Sequence, residues 1–218
     1  MSALKLTLVE YGAGNLPSVE RAFARFGVET ERATLPAQIE ESDAIVLPGV
    51  GHFGALLNAL EAAELIAPLK RFIASGKPFL GICVGLQALF AGSEEAPTVA
   101  GLGTLAGRVT QLPETGKLPH MGWNQVRRVR TSRLFAGVPD DAWFYFAHSY
   151  AAPEAAEATV AWCTHGVRFV AALERENIFA VQFHPEKSGD PGAKVLANFV
   201  SIVADEIASP PSTNRAAR

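Results

Sequence analysis

The sequence predicts one α/β domain, a mostly parallel central sheet flanked by helices, with antiparallel strands added in its second half. Three observations point there. Through the first half, short apolar runs alternate with amphipathic stretches, the pattern of βα units around a parallel sheet. After Phe90, Gly and Pro recur from Gly92 to Pro113, and the later apolar runs follow one another closely with no helix between them. The 218 residues, 49% of them hydrophobic, suffice for one core, and no linker, repeat or step in composition divides them. One domain is therefore expected over residues 1–208, followed by a tail, 209–218, whose composition, SPPSTNRAAR, predicts disorder.

Leu6 to Val9 reads as the first strand. Pro17 suits the first turn of a helix, where its missing N–H costs nothing, and Val19, Phe23 and Phe26 share one face before Gly27 ends it. Val28 to Glu31 is the second strand. Ala44 to Leu47 is too short for a helix and is closed by Pro48-Gly49, which makes it a buried strand feeding a loop. Phe53 to Ala63 and Leu65 to Ala74 read as helices. Gly76, Lys77 and Pro78 stop the second, and Phe79 to Ile82 is the next strand. Antiparallel strands are expected at Arg108 to Leu112, Gln125 to Val129, Trp143 to Phe146, Thr159 to Cys163, Phe169 to Leu173 and Phe179 to Phe183. A last helix, from about Gly192 to Ile207, carries Val195, Leu196, Phe199 and Val203 at helical spacing.

Composition removes several classes of function. Nineteen Lys and Arg against 22 Asp and Glu give a net charge of −3, so no positive field exists to hold nucleic acid. The start, MSALKLTLVEYG, reads as a strand and not as a signal peptide, and no stretch has the roughly 18 to 20 apolar residues of a membrane span. Cys83 and Cys163 are too few for a disulfide framework and lie in apolar sequence, which fits a reducing compartment with cytoplasm as the default. No His, Cys and carboxylate group has metal-ligand spacing, so neither metal nor cofactor is expected.

The most informative segment is PFLGICVGLQALF, residues 78–90, a strand that turns abruptly into a helix at Cys83. Gly81 and Gly85 stand two residues to either side, the G-x-nucleophile-x-G elbow with cysteine in place of serine. Small residues there permit a tight, strained turn that exposes the nucleophile at the strand's carboxyl end. The helix that follows presents its positive end to the thiol, a position that favours thiolate. Alone, the segment is equally compatible with a core cysteine.

A thiol nucleophile needs a base, and the base needs a group that fixes its tautomer. VQFHPEKS, residues 181–188, offers His184 at the end of an apolar strand and Glu186 two residues on, with Pro185 restricting His184 to an extended backbone. His-x-Glu by itself also describes a surface strand end. Coupled with an elbow cysteine it makes a coherent Cys83, His184, Glu186 set. A third element, LPGVGHF over residues 47–53, is a Gly-rich loop at the carboxyl end of a strand, where open α/β sheets place ligands. Its main-chain N–H groups, with that of Val84, could stabilise an oxyanion, although Gly-Val-Gly also makes an ordinary tight turn.

GICVGLQ, PGVGHF and QFHPEKS together resemble the class I, triad-type glutamine amidotransferases, and the resemblance covers the chain from Leu6 to about Ile207. PHMGWN over residues 119–124 and FYFAHSY over residues 144–150 make the chain similar to those that serve imidazole glycerol phosphate synthases in histidine biosynthesis. The resemblance implies that family's fold and a reaction in which Cys83 attacks the glutamine side-chain amide, His184 shuttles the proton and Glu186 orients His184. It implies an oxyanion site at Gly49, Val50, Gly51 and Val84, and a glutamine site at Gln87, Glu95, His148, Ser149 and Tyr150. It further implies a heterodimer that passes ammonia to a (β/α)8 cyclase subunit, with Asn15, Trp123 and Lys187 at the interface, and low glutaminase activity until that partner is loaded. Without the family, these three read as a turn Asn, a buried Trp and a solvated Lys.

Other residues read as structural. Cys163, with no base beside it, is a core thiol, and His120 and His165 are structural or surface. His52 touches substrate or partner, or starts a helix. Arg127, Arg128, Arg130 and Arg133 split between two strand faces as a solvated edge, or meet the partner.

Overall fold

A computed structural model describes residues 4–113, 117–155 and 157–208. In chain order the elements are β1 (Leu6–Val9), α1 (Leu16–Ala24), β2 (Thr30–Ala33), α2 (Pro36–Glu40), β3 (Ala44–Gly49), α3 (Phe53–Ala62), α4 (Ile66–Ala74), β4 (Phe79–Cys83), α5 (Val84–Gln87), β5 (Phe90–Ser93), β6 (Ala96–Ala100) and β7 (Leu105–Gln111). There follow β8 (His120–Arg128), β9 (Ala142–His148), β10 (Tyr150–Ala151), β11 (Thr159–His165), β12 (Val167–Arg175), β13 (Ile178–Val181), a 3-10 turn (Pro185–Lys187) and α6 (Gly189–Ala208). The tail 209–218, expected to be disordered, lies outside the described residues.

A nine-stranded sheet runs β2-β1-β3-β4-β13-β12-β11-β8-β9. Its first five strands are parallel and the rest continue it antiparallel, so the two halves read from the sequence are one sheet. The joint is β13, parallel to β4 and antiparallel to β12. Expected as one more antiparallel strand, the Phe179 segment thus also completes the parallel half. Strands β1, β3, β4 and β13 are buried throughout, as strands covered on both faces must be. A second sheet, β10-β7-β5-β6, pairs β5 with β7 in parallel, against the expectation that all strands after Phe90 would be antiparallel.

Other departures have local causes. The second strand runs two residues later than Val28 to Glu31, because pairing with β1 sets its register from Thr30 to Ala33. α2 has five residues and one buried apolar side chain, Ile39, too little periodicity to read. α5 is a single turn, so little helix dipole stands behind Cys83. The basic run is taken up by acidic neighbours: Arg127 with Asp141, Arg128 with Asp140, and Arg133 with Glu174 and Glu206, while Arg130 donates to the Glu174 carbonyl.

Candidate active site

The parallel strands bring four loops to one end. β1 delivers Tyr11, β3 the Gly49–Gly51 loop, β4 Cys83, and β13 leads into Gln182, Phe183 and His184. Gly49 lies in register beside Cys83 across the β3–β4 pair, and Val181 beside Ile82 across β13–β4. Ligands bind at the carboxyl ends of such strands because the loops diverge there.

Cys83 occupies a backbone region, φ 55 and ψ −109, that L residues rarely adopt. The glycines around it serve close packing. A Cβ on Gly85 would lie 1.9 Å from the Leu47 carbonyl oxygen, on Gly81 2.7 Å from the Gly85 oxygen, and on Gly49 2.6 Å from the Gly85 nitrogen. These three glycines let β3, β4 and the α5 turn close on one another, and the strain falls on the nucleophile. A residue so held costs about 1–3 kcal/mol, maintained only when its surroundings enforce it.

His184 and Glu186 meet at 2.9 Å, Nδ1 to Oε1, with side chains 4% and 2% exposed. A carboxylate accepts only, so Nδ1 bears the proton and Nε2 is free for the sulfur. Burial opposes the imidazolium, but the Cys83 sulfur and the Glu186 carboxylate outweigh it and push the His184 pKa up to about 10. The Glu186 Oε2 is buried with no partner among the described residues. The arrangement suits a thiolate and imidazolium pair steadied by a carboxylate.

Gln182, absent from the sequence-predicted set, lies against the sulfur. Its Nε2 faces Cys83 Sγ at 3.6 Å, while its Oε1 accepts from Gln87 Nε2 at 3.1 Å. Gln87 Nε2 also donates to the Tyr150 carbonyl at 2.9 Å. Both amide hydrogens of Gln87 are therefore engaged within the protein, leaving its oxygen for a ligand. A polar residue buried between Val181 and Phe183 was the available signal for Gln182, because such a group must find partners.

His148 closes the same corner. The Tyr150 carbonyl can only accept, which puts the proton on His148 Nδ1 at 2.8 Å. Its Nε2 then accepts from His120 Nδ1 at 3.0 Å, and His120 Nε2 from the Asn124 amide at 3.1 Å. Burial keeps both rings neutral, the His148 pKa pushed down to about 3 and that of His120 to about 4. Of the two readings left open for His120, structural or surface, its burial favours the structural one, and His165 stacks on it with ring centroids 4.2 Å apart.

Glu95 lies between β5 and β6, and its Oε2 accepts from the Phe53 N–H at 2.6 Å, at the start of the helix that follows the Gly49–Gly51 loop. His52 starts that helix, its Nδ1 accepting from the Gly54 N–H at 3.0 Å. Tyr11 is a second residue the sequence did not single out. Its hydroxyl is shut from solvent with no hydrogen bond among the described residues, and burial raises its pKa, reinforced by Cys83.

The residues matched to an interface fall in two places. Trp123, 53% exposed and not buried, meets Tyr145 edge to face at 6.2 Å, and Lys187 Nζ lies 5.7 Å from the same ring. Asn15 precedes α1, which packs against the 3-10 turn carrying Lys187. Cys163 is buried, its thiol pKa pushed up to about 12 by burial, and it is a core residue as expected. Among the described residues no group of three His, Cys, Asp or Glu side chains could hold a metal ion, and no helix is long and apolar enough to cross a membrane.

The model of the family "Glutamine amidotransferase class-I" matches residues 7–203. The chain is 47% identical to the imidazole glycerol phosphate synthase subunit HisH of Methanothermobacter thermautotrophicus over 91% of its own length and 98% of that protein. It is 42% identical to the imidazole glycerol phosphate synthase hisHF of Emericella nidulans, over 88% of this chain and 37% of that longer one. Among solved structures, PurLQS from Thermotoga maritima superposes with a TM-score of 0.73 at 19% identity, covering 93% of this chain and 100% of that one, a likeness of fold.

Proposed function

The chain belongs to the class-I glutamine amidotransferases, and from that premise we propose that it is the glutaminase subunit of an imidazole glycerol phosphate synthase. In this reading it hydrolyses glutamine at Cys83, His184 and Glu186 within an amidotransferase domain of residues 1–208. The ammonia passes to a (β/α)8 cyclase subunit that makes imidazole glycerol phosphate and AICAR. The observation that carries the chemistry is the buried His184–Glu186 pair at 2.9 Å beside a strained cysteine. The identity of 47% with a synthase subunit supports the choice of pathway. The imidazole glycerol phosphate synthase hisHF, 42% identical and matched over only 37% of its length, supports a close physical association with a second activity.

The steps follow from the residues. Cys83 sulfur attacks the side-chain amide carbon of glutamine, and the oxyanion that forms meets the main-chain N–H of Val84 and those of the Gly49, Val50 and Gly51 loop. His184, protonated at neutral pH, gives a proton to the leaving nitrogen, and ammonia departs. His184 then takes a proton from water as it attacks the γ-glutamyl thioester, and glutamate leaves with the thiolate restored. Glu186 holds the imidazole in the tautomer that each step needs. Gln87, through its oxygen, and the Glu95, His148, Ser149 and Tyr150 strand ends hold the substrate. The Trp123, Tyr145 and Lys187 face, with Asn15, receives the cyclase.

Glutamate release from glutamine, alone and with a histidine-pathway cyclase and its ribonucleotide substrate, tests this. A large rise with the loaded cyclase is expected. Appreciable activity alone with no rise would retain the triad and overturn the partner.

A further inference from the structure

The catalytic base is held from behind by a residue outside the triad. Ser188 is fully buried just after the 3-10 turn, and its Oγ donates to the His184 carbonyl at 2.6 Å while accepting the Tyr145 N–H at 2.9 Å. The Tyr145 carbonyl in turn accepts the His184 N–H at 2.8 Å. One hydroxyl and one residue of β9 thus fix both main-chain groups of His184, across a break in sequence of 43 residues between Tyr145 and Ser188. The site calls for a hydroxyl in particular. The Tyr145 N–H can only donate and the His184 carbonyl can only accept, so the bridging group must do both with one atom.

The consequence concerns aim. β9 is an edge strand of the large sheet, and the turn that carries Glu186 and Lys187 begins immediately after His184. Without the Ser188 hydroxyl, His184 keeps its N–H bond to Tyr145 and its carbonyl keeps the Lys187 N–H at 3.0 Å, but the link from that carbonyl to β9 is lost. We propose that Ser188 is a positioning residue for His184, holding the imidazole in line between Cys83 and Glu186. This rests on the reading of Cys83, His184 and Glu186 as the glutamine-hydrolysing triad.

The test compares wild type, Ser188→Ala, Ser188→Cys and His184→Ala in the complex with the loaded cyclase, measuring kcat and KM for glutamine with folding followed by circular dichroism and Tm. Misplacing a base lowers turnover without loosening the substrate, so Ser188→Ala is expected to lose about 10-fold to 100-fold in kcat with KM unchanged. Ser188→Cys, whose thiol is a weaker donor and acceptor, falls between, and it gives the same reading should the alanine variant not fold. A folded Ser188→Ala enzyme with wild-type kcat, or a loss carried by KM, overturns the inference while leaving the triad intact. Wild-type hydrolysis by His184→Ala would instead overturn the triad reading.

Discussion

Gly85 and Leu47 approach so closely that a Cβ on the glycine would sit 1.9 Å from the Leu47 carbonyl oxygen. The contact is main chain against main chain, so no side chain can rotate to relieve it. It locks the turn after Cys83 onto the β3 strand that supplies the Gly49–Gly51 loop, joining nucleophile and oxyanion loop into one rigid unit. Gly85→Ala must push the two apart. The expected outcome is a Tm drop reflecting about 1–3 kcal/mol or more of overpacking, and loss of roughly 100-fold or more in glutaminase rate from misplacement. Melting curves with a glutamate assay check both.

Gln182 faces the sulfur because Gln87 holds its other end. A hydrogen bond to a charged group contributes about 1.5–3 kcal/mol, so Gln182→Leu should slow glutamine hydrolysis by roughly 10-fold to 100-fold. The Gln87 amide keeps its bond to the Tyr150 carbonyl in that variant, and the fold should survive. Steady-state kinetics of a variant shown to be folded would decide.

Glu186 stabilises the charged form of His184. In Glu186→Gln the imidazolium loses that support, so its proton leaves at lower pH and the alkaline limb of the pH–rate profile moves down. Turnover at neutral pH should fall about 100-fold or more, since both tautomer and charge are disturbed. A profile unchanged in shape would mean that the pairing is only structural.

Acid stability should reflect the neutral ring pair. An unfolded His takes up its proton near about pH 6.5, whereas His120 and His148 resist until about 4 and about 3. Below pH about 6.5 the unfolded chain therefore binds more protons, so these rings contribute their full stability above that pH and lose it as pH falls toward their folded values. His184 has the opposite shift, up to about 10. Its contribution is complete below about 6.5 and is lost as pH rises through its folded value, so it adds no slope in the acid window. Tm is expected to fall between pH 6.5 and 4, and His120→Asn should make that fall shallower. Thermal scans across this range would show it.

Much of this was legible from the chain alone. β1 carries the Leu6–Val9 bounds read from the sequence, and β4 extends the Phe79 strand by one residue, because central parallel strands are apolar on both faces and punctuated by Gly and Pro. The Cys83 elbow could be read because its glycines are set by close packing, a local requirement. Ser188 and Tyr145 could not, because their role depends on contact between β9 and the turn after β13. Edge elements were hardest. β2 buries only Ala33, and β6 only Ala96, so neither leaves a period to recognise. Trp123 shows the same limit without its motif, since a large aromatic on a strand reads as core until the sheet's outer face is known, and it is 53% exposed.

The central claim is that Cys83 is the nucleophile of glutamine hydrolysis, and replacing it by alanine tests that most directly. Glutamate release by Cys83→Ala with the loaded cyclase should fall to background, while the variant stays folded and still binds the cyclase in a pull-down. Hydrolysis retained near the wild-type rate would contradict the account.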